Sequence, residues 1–258
     1  MAVSRLRLSL VQAQLAWRDP ARNRAHLESL LVEDGAAADM VVLPETFTTG
    51  FLGDGDEAED MHGPTVAWMQ SLAAKYQAAV TGSVAIEAEG RRNRLLWAAP
   101  GEALQHYDKR HLFSYAGEDQ RYVAGAERKV FPFRGWRICP QICYDIRFPV
   151  WCRNRNDYDL LLVVANWPAP RVAAWRSLLQ ARAIENQAYV VAVNRVGEDG
   201  NGKSYPGNSL VFDPLGETVL DMGGEEAVGC AELELDRVRR VREELPFHRE
   251  ADYFEIIS

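Results

Sequence analysis

Three segments of this 258-residue chain hold side chains that can transfer protons or attack a carbonyl carbon. Glu45 follows the apolar run 40–43, and Lys109 begins a long irregular stretch over 108–125. Cys143 lies where a strand-like segment passes into a turn. A carboxylate, an ammonium group and a thiol are what hydrolysis of an amide or nitrile by a cysteine nucleophile needs without histidine.

Each segment alone has an ordinary structural interpretation. Glu45 fits a helix-capping or surface glutamate equally well, and the basic residues around Lys109 are more typical of a solvated turn. An unpaired thiol such as Cys143 is more often a buried apolar side chain. The functional interpretation therefore depends on the three segments acting together.

The expected surroundings of Cys143 favour its thiolate. A strand-to-helix turn presents backbone amides with positive partial charge, and a nearby Lys109 would lower the thiol pKa further. A thiol of ordinary pKa is only about 3% ionised at pH 7, whereas a depression of about two units makes it roughly three-quarters ionised. We therefore expect Cys143 to be the reactive cysteine, with Cys139, Cys152 and Cys230 in apolar settings.

The same three side chains divide the reaction between them. Lys109 would stabilise the tetrahedral oxyanion, a contribution of about 2.7–4 kcal/mol for one well-placed donor. Glu45 would accept the thiol proton, deliver it to departing ammonia and then activate water against the thioester. General acid–base catalysis of this kind contributes roughly 10²–10⁴-fold.

Composition excludes several other classes of protein. With 47% hydrophobic and 26% charged residues the chain has the composition of a globular domain, and its net charge of −8 argues against nucleic acid as a partner. No apolar run approaches the ~20 residues of a membrane span, and the N-terminus alternates like a strand rather than forming a signal peptide. Four cysteines without Cys-x-x-Cys spacing and five scattered histidines predict no metal site. We expect a cytoplasmic protein that binds neither membrane nor nucleic acid.

Strands and helices alternate along the chain, so we predict one domain over 1–258 of the α/β class, or α+β in some schemes, with helices covering mixed sheets. The predicted strands cover 6–14, 40–43, 79–86, 91–99, 103–107, 129–133, 137–142, 160–164 and 188–193. The predicted helices cover 20–32, 65–76 and 171–186, and the last third holds three strands, a turn at 213–216 and a helix from about 236.

In order and spacing, the three segments resemble the nitrilase (carbon–nitrogen hydrolase) superfamily. The matching motifs are Leu-Pro-Glu-Thr-Phe around Glu45, Tyr-Asp-Lys-Arg-His-Leu-Phe around Lys109, and Ile-Cys-Tyr-Asp-Ile-Arg-Phe-Pro around Cys143. Ala-Asn-Trp-Pro at 165–168 and Ala-Arg-Ala-Ile-Glu-Asn-Gln at 181–187 extend the resemblance over essentially the whole chain. In detail the sequence is most similar to the bacterial omega-amidases of this superfamily.

The resemblance implies a four-layer αββα sandwich and an eight-layered homodimer, with no cofactor or metal. It also implies a second glutamate, matched by Glu118, that keeps Lys109 charged and oriented, and an oxyanion donor in the backbone N–H of Tyr144. The implied reaction is hydrolysis of the terminal amide of 2-oxo dicarboxylic acid monoamides, such as 2-oxoglutaramate, or of deaminated glutathione.

A small anionic amide as substrate has some support from the residues themselves. Arg147 follows the nucleophile closely, and Arg171 follows Trp167, so either arginine can pair with a carboxylate. These three residues are candidate substrate contacts. A structural salt bridge is an equally good interpretation of each arginine.

Three alternatives to omega-amidase activity stay open. The nearest is another reaction of the superfamily, such as hydrolysis of a nitrile or an N-carbamoyl group. A catalytically silent binding protein is disfavoured because no member of the triad is missing. A redox-sensing cysteine would need a resolving partner, and Cys139 is poorly placed to bridge to Cys143. The tail over 245–258, rich in large apolar residues, predicts docking at a dimer interface.

Overall fold

The computed structural model describes residues 5–34, 37–53, 55 and 58–256. The strands are β1 (Arg5–Gln12), β2 (Met40–Val42), β3 (Ala79–Ala88), β4 (Gly90–Ala98), β5 (Gln105–Asp108), β6 (Phe131–Phe133), β7 (Trp136–Ile142), β8 (Leu160–Ala165), β9 (Tyr189–Asn194), β10 (Val196–Glu198), β11 (Ser204–Pro206), β12 (Leu210–Phe212), β13 (Thr218–Asp221) and β14 (Ala227–Glu234). The helices are α1 (Pro20–Asp34), α2 (Pro64–Tyr76), α3 (Pro149–Cys152), α4 (Val172–Asn186) and α5 (Leu235–Glu244).

The longer strands form two six-stranded mixed sheets with related topologies. The first has the order β14-β1-β2-β3-β4-β5, and the second has the order β13-β12-β9-β8-β7-β6. In each sheet three central strands are parallel and the flanking strands are antiparallel. The parallel strands are joined through α1 and α2 in the first sheet and through α3 and α4 in the second, as parallel pairing requires.

Three hydrophobic clusters separate four layers of structure. Along β8, Leu160, Leu162 and Val164 point into a cluster shared by both sheets, while Leu161 and Val163 pack on the opposite face beneath α4. This strand is buried on both faces, which explains its uninterrupted apolar sequence. An equivalent outer cluster joins α1 and α2 to the first sheet. The order of layers is therefore helix, sheet, sheet, helix, and the predicted αββα sandwich is confirmed.

The fold brings residues of the candidate site to one edge of the two sheets. Glu45 follows β2, Cys143 follows β7 and Asn166 follows β8. These strands are the parallel ones in their sheets, and loops at the carboxyl ends of parallel strands are where α/β sheets place their sites. Residues far apart in sequence therefore converge.

Two features differ from the sequence prediction. The β10–β11 hairpin was not anticipated, because its strands are three residues each and lack a clear apolar alternation. The stretch 108–125, expected to be irregular, contains short 3₁₀ turns at Ser114–Ala116 and Glu118–Gln120. In the part of the chain described, no helix has the length and apolar character needed to cross a membrane.

Candidate active site

Two carboxylates and one ammonium group form a buried cluster beneath the site. The Lys109 Nζ donates to Glu45 Oε1 at 3.0 Å and to Glu118 at 3.0 and 2.9 Å. The Asn93 amide donates to both carboxylates, at 2.9 Å to Glu45 and 3.2 Å to Glu118. All four side chains are buried, so these contacts are shielded from water and their geometry is tightly constrained.

Asn166 orients the other oxygen of Glu45. Its backbone N–H donates to Glu45 Oε2 at 2.7 Å, and its side-chain amide donates to the Glu45 carbonyl at 2.8 Å and to Thr46 at 3.0 Å. The side-chain amide reaches Oε2 only at 3.4 Å. Oε1 has two donors, Lys109 and Asn93, and Oε2 has one strong donor. Oε2 therefore has a lone pair left for a mobile proton.

Cys143 occupies a sharp turn beside this cluster. Its φ is 44°, a left-handed conformation that is uncommon outside glycine, and it begins a 3₁₀ helix over Cys143–Arg147. Its Sγ lies 4.0 Å from the carbonyl oxygen of Asn166, the residue that holds Glu45. The Cys143 thiol and the Glu45 carboxylate thus both lie next to Asn166.

The charges around Cys143 do not produce the expected thiolate. Burial raises the thiol pKa well above its usual range, the Glu45 carboxylate raises it further, and Lys109 only partly opposes them. The expected net depression of this pKa is therefore wrong: Lys109 lowers it, but burial and the carboxylates paired with Lys109 outweigh that effect. A protonated thiol needs a base to accept its proton.

The pKa shifts of the other cluster members have a common origin. Burial disfavours the charge of Lys109, but Glu118 and Glu45 outweigh this effect and raise its pKa, so Lys109 stays an ammonium group. Burial raises the pKa of Glu118, with Lys109 opposing and Glu45 adding to the shift. Each charge in the cluster therefore depends on its partners.

A pocket of about 850 Å³ opens above the cluster. Lys109, Cys143 and Asn166 lie on its floor, and its walls include Phe51, Phe113, Tyr144, Trp167 and Tyr205. The volume falls within the range of about 300–1,000 Å³ typical of small-molecule sites. The pocket thus leads from solvent to the thiol.

Both predicted substrate-binding arginines line this pocket. The Arg147 guanidinium lies over the Trp167 ring, 4.7 Å from its centroid, and that of Arg171 lies over Phe113 at 5.2 Å. The Trp167 indole N–H donates to the Arg171 carbonyl at 2.7 Å, which joins the two arginines into one wall. Within the described residues neither arginine forms an ion pair, so the structure does not support the salt-bridge interpretation.

The remaining cysteines divide into two kinds. Cys139 and Cys152 are fully buried, and burial raises the pKa of Cys139 to about 11 and that of Cys152 further. Cys230 is exposed on β14, so the prediction of an apolar setting is wrong for this residue. No disulfide links the four cysteines, and the described residues contain no cluster of three or more potential metal ligands.

Sequence reasoning missed several residues of the site. Asn93 lies in an Arg-Arg-Asn-Arg segment whose charge is typical of a solvated strand end, whereas in the fold its side chain is buried against Glu45 and Glu118. The hairpin supplies Tyr205 and Asp199 to the pocket wall, where the Tyr205 hydroxyl donates to Asp199 at 2.8 Å. Asn166 was noted only as part of a motif.

The fold and the site define a class of enzyme. The family model for carbon–nitrogen hydrolases matches residues 7–243 of this chain. The chain belongs to the carbon–nitrogen hydrolase family, as its sequence predicts, and it is a hydrolase of amides.

Close relatives cover nearly the full length of the chain. It is 47% identical over 254 residues to omega-amidase YafV of Yersinia enterocolitica, which spans 98% of this chain and 99% of that protein. It is 35% identical over 246 residues to 2-oxoglutaramate amidase of Bacillus subtilis, spanning 93% and 95%. The crystal structure of XC1258 from Xanthomonas campestris, which has an arsenic adduct in its active site, is 48% identical and superposes with a TM-score of 0.96 over 98% of this chain and all of that one.

Proposed function

We propose that this protein is an omega-amidase, which releases ammonia from the terminal amide of 2-oxo dicarboxylic acid monoamides such as 2-oxoglutaramate. One observation supports this most directly: Cys143 lies beside the buried Glu45–Lys109–Glu118 cluster, in a pocket lined by two arginines that have no ion-pair partner among the described residues. Relatives with this activity in their names cover 98% and 93% of the chain.

Acylation of the enzyme begins with transfer of a proton from the thiol. Since burial and Glu45 keep the pKa of Cys143 high, attack requires Glu45 to take the proton as sulfur approaches the amide carbon. Oε2 is the acceptor, because Oε1 is already bonded to Lys109 and Asn93. Glu45 then passes that proton to the amide nitrogen, and the C–N bond breaks to release ammonia and leave a thioester on Cys143.

Deacylation uses the same carboxylate in the opposite order. Glu45 removes a proton from water, the resulting hydroxide attacks the thioester carbon, and the proton returns to the sulfur as the C–S bond breaks. The products are a 2-oxo dicarboxylate and the original thiol. Glu45 thus cycles between its charged and neutral forms in each half-reaction.

Lys109 and Tyr144 are assigned to the oxyanion. The Lys109 ammonium is on the pocket floor and is held charged by its two carboxylates. The backbone N–H of Tyr144 follows the nucleophile at the start of the 3₁₀ helix, where amides point toward the turn. Glu118 contacts Lys109 twice and not the thiol, which suits an orienting role.

The pocket wall suits a carboxylate on the substrate. Arg147 and Arg171 are held in place by aromatic rings, which leaves guanidinium N–H groups available to an anion. Trp167 supports both arginines through its ring and its indole N–H. We assign these three residues to substrate binding.

A substrate panel with ammonia as the readout tests the proposal. Purified enzyme is given 2-oxoglutaramate, deaminated glutathione, an aliphatic nitrile and an N-carbamoyl amino acid. We expect 2-oxoglutaramate to have the highest kcat/KM, and the Cys143→Ala variant to release no ammonia. A higher value for the nitrile or the carbamoyl compound would move the enzyme elsewhere in the family. No turnover of any compound would favour a binding protein.

We propose in addition that the chain acts as one domain and forms a homodimer in the cytoplasm. Phe247 and Tyr253 are 62% and 86% exposed in the C-terminal tail. Large apolar side chains exposed in this way are typical of a surface that binds another subunit. Ile257 of the predicted tail lies outside the described residues. The absence of disulfides among the cysteines suits a reducing compartment. Sedimentation at micromolar concentration should give twice the 29.0 kDa chain mass, and a monomer would contradict the proposal.

A further inference from the structure

A third buried carboxylate, besides Glu45 and Glu118, lies two residues after the nucleophile. Asp145 is 0% exposed and accepts from the Tyr107 hydroxyl at 2.8 Å and from the backbone N–H of Ile142 at 3.1 Å, both through Oδ2. Its Oδ1 accepts from the backbone N–H of His111 at 2.9 Å and contacts the His111 ring Nδ1 at 2.8 Å. Within the described residues its side chain pairs with no lysine or arginine and contacts Tyr107, Ile142 and His111.

The two backbone donors belong to the two loops that must meet for catalysis. Ile142 immediately precedes Cys143, and His111 follows Lys109 by two residues. We propose that Asp145 is a positioning residue that fixes the nucleophile turn (residues 142–145) against the lysine loop (residues 109–113). It thereby sets the distance from Cys143 to Lys109 and Glu45. This inference rests on the proposed roles of those three residues.

Both loops need such a restraint. Cys143 has a left-handed backbone conformation, which persists only where the surroundings enforce it. Asp145 enforces it locally, since its side chain caps the Ile142 amide at the start of the 3₁₀ helix. The lysine loop lies between β5 and the first 3₁₀ turn. Its backbone is bonded to Asn93 and Gly125 at Lys109 and to Glu118 at the Phe113 amide, at 2.6 Å. Asp145 adds the hydrogen bond at His111, which links this loop to the nucleophile turn.

Replacing Asp145 by asparagine removes one of the two hydrogen bonds that join the nucleophile turn to the lysine loop. Asparagine has the shape of aspartate but only one acceptor oxygen, so its NH₂ must face either the Ile142 N–H or the His111 N–H. A backbone N–H cannot accept, and the Tyr107 hydroxyl already accepts from the Trp151 indole at 2.9 Å and from the Arg110 N–H at 3.4 Å. In either orientation the backbone N–H of Ile142 or of His111 loses its hydrogen bond to residue 145.

The test combines steady-state kinetics with alkylation of Cys143 by iodoacetamide. For Asp145→Asn we expect kcat for 2-oxoglutaramate to fall about 10²-fold, the size of effect that a misplacement of about 1 Å produces, with KM changed less than about threefold. Alkylation of Cys143 should slow at least about tenfold, because Glu45 is no longer placed to take the thiol proton. Alkylation displaces iodide and requires no hydrolysis of an amide bond. An error in the assigned substrate would therefore leave this second result intact.

Asp159→Asn is the matched control. Asp159 is also a buried carboxylate, bonded to Arg137 at 2.6 Å and Arg242 at 3.2 Å, but it precedes β8 at the end away from the site. We expect it to lower the melting temperature while kcat stays within about threefold. Equal losses of kcat in folded Asp159→Asn and Asp145→Asn would overturn the proposal.

A second variant keeps the proposal testable if Asp145→Asn does not fold. Asp145→Glu retains both acceptor oxygens on a stem longer by one methylene, so both loops stay attached but shift. We expect a lowered kcat at unchanged KM, and, where both variants fold, a kcat at least about tenfold above that of Asp145→Asn. An increase in KM that accounts for the whole loss, or an unchanged kcat, would refute a positioning role.

Discussion

Glu118→Gln tests the division of labour between the two glutamates. Glu118 receives both Lys109 contacts at 3.0 and 2.9 Å, the Phe113 amide at 2.6 Å and the Asn93 amide at 3.2 Å. Glutamine keeps the shape and one acceptor, but it loses the negative charge and turns an NH₂ group toward donors. The change therefore disturbs the placement of Lys109 and leaves Glu45 in position, held by Asn166.

The size of the loss follows from these contacts. A hydrogen bond to a charged group contributes about 1.5–3 kcal/mol, and removing one from the Lys109 ammonium corresponds to roughly a 10- to 150-fold lower kcat. Glu45→Gln removes the group that accepts and returns the proton, so its loss should be about 10²–10⁴-fold or more. Glu118→Gln should thus be the milder variant.

The two half-reactions should also respond differently in Glu118→Gln. The thiol of Cys143 is held in place by the chain, whereas a hydrolytic water has no covalent link to the protein and would depend on polar groups of the cluster for its position. Thioester hydrolysis should therefore slow more than acylation, giving a burst of ammonia and an acyl adduct visible by mass spectrometry. KM should change little, because Glu118 is not assigned to substrate binding.

Rapid-quench measurement of ammonia, with mass spectrometry of the intact protein, distinguishes the outcomes. Cys143→Ala is the control for no chemistry, and Glu45→Gln is the control for lost proton transfer. If Glu118→Gln were as inactive as Cys143→Ala from the first turnover, Glu118 would have to take part directly in acylation. The orienting role inferred from its contacts would then be wrong.

Three further outcomes are expected. Iodoacetamide should label Cys143 more slowly in Glu45→Gln than in the wild type if Glu45 accepts the thiol proton, because removing the Glu45 charge would by itself only lower the thiol pKa and speed the reaction. Exposed Cys230 should be labelled at the same rate in both, as peptide mapping can show, and equal or faster labelling of Cys143 in Glu45→Gln would contradict proton transfer to Glu45. Arg171→Leu should lower kcat/KM for 2-oxoglutaramate about 10- to 100-fold and leave a neutral amide nearly unaffected; an equal loss on both would exclude a carboxylate contact. Because burial raises the pKa of Cys139 from 9.0 to about 11, the folded state retains that proton where the unfolded state loses it, and the free energy of unfolding should fall as pH rises across this interval. Cys139→Val should reduce that fall by up to about 2.7 kcal/mol in urea titrations, and identical pH profiles would count against the shift.

The geometry of the cluster was beyond the reach of the sequence. Glu45, Lys109 and Cys143 can be recognised from motif order, but the contacts that set their charges come from Asn93, Asn166 and other distant residues. The direction of the Cys143 pKa shift shows the consequence. Proximity to Lys109 predicted a thiolate, whereas burial beside two carboxylates gives a thiol.

The sequence by itself determined the features that arise from local chemistry. Apolar periodicity and turn residues specify the strands and helices, and the continuous apolar run of β8 already indicates a strand covered on both faces. Only the tertiary structure decided which strands are neighbours, which side chains are buried and which donors each carboxylate receives. Asp145 is an example, because its hydrogen bonds to Ile142 and His111 span 3 and 34 positions of the chain. Local patterns cannot reveal the longer contact, since it forms only when two sheets pack together and exclude water from the space between them.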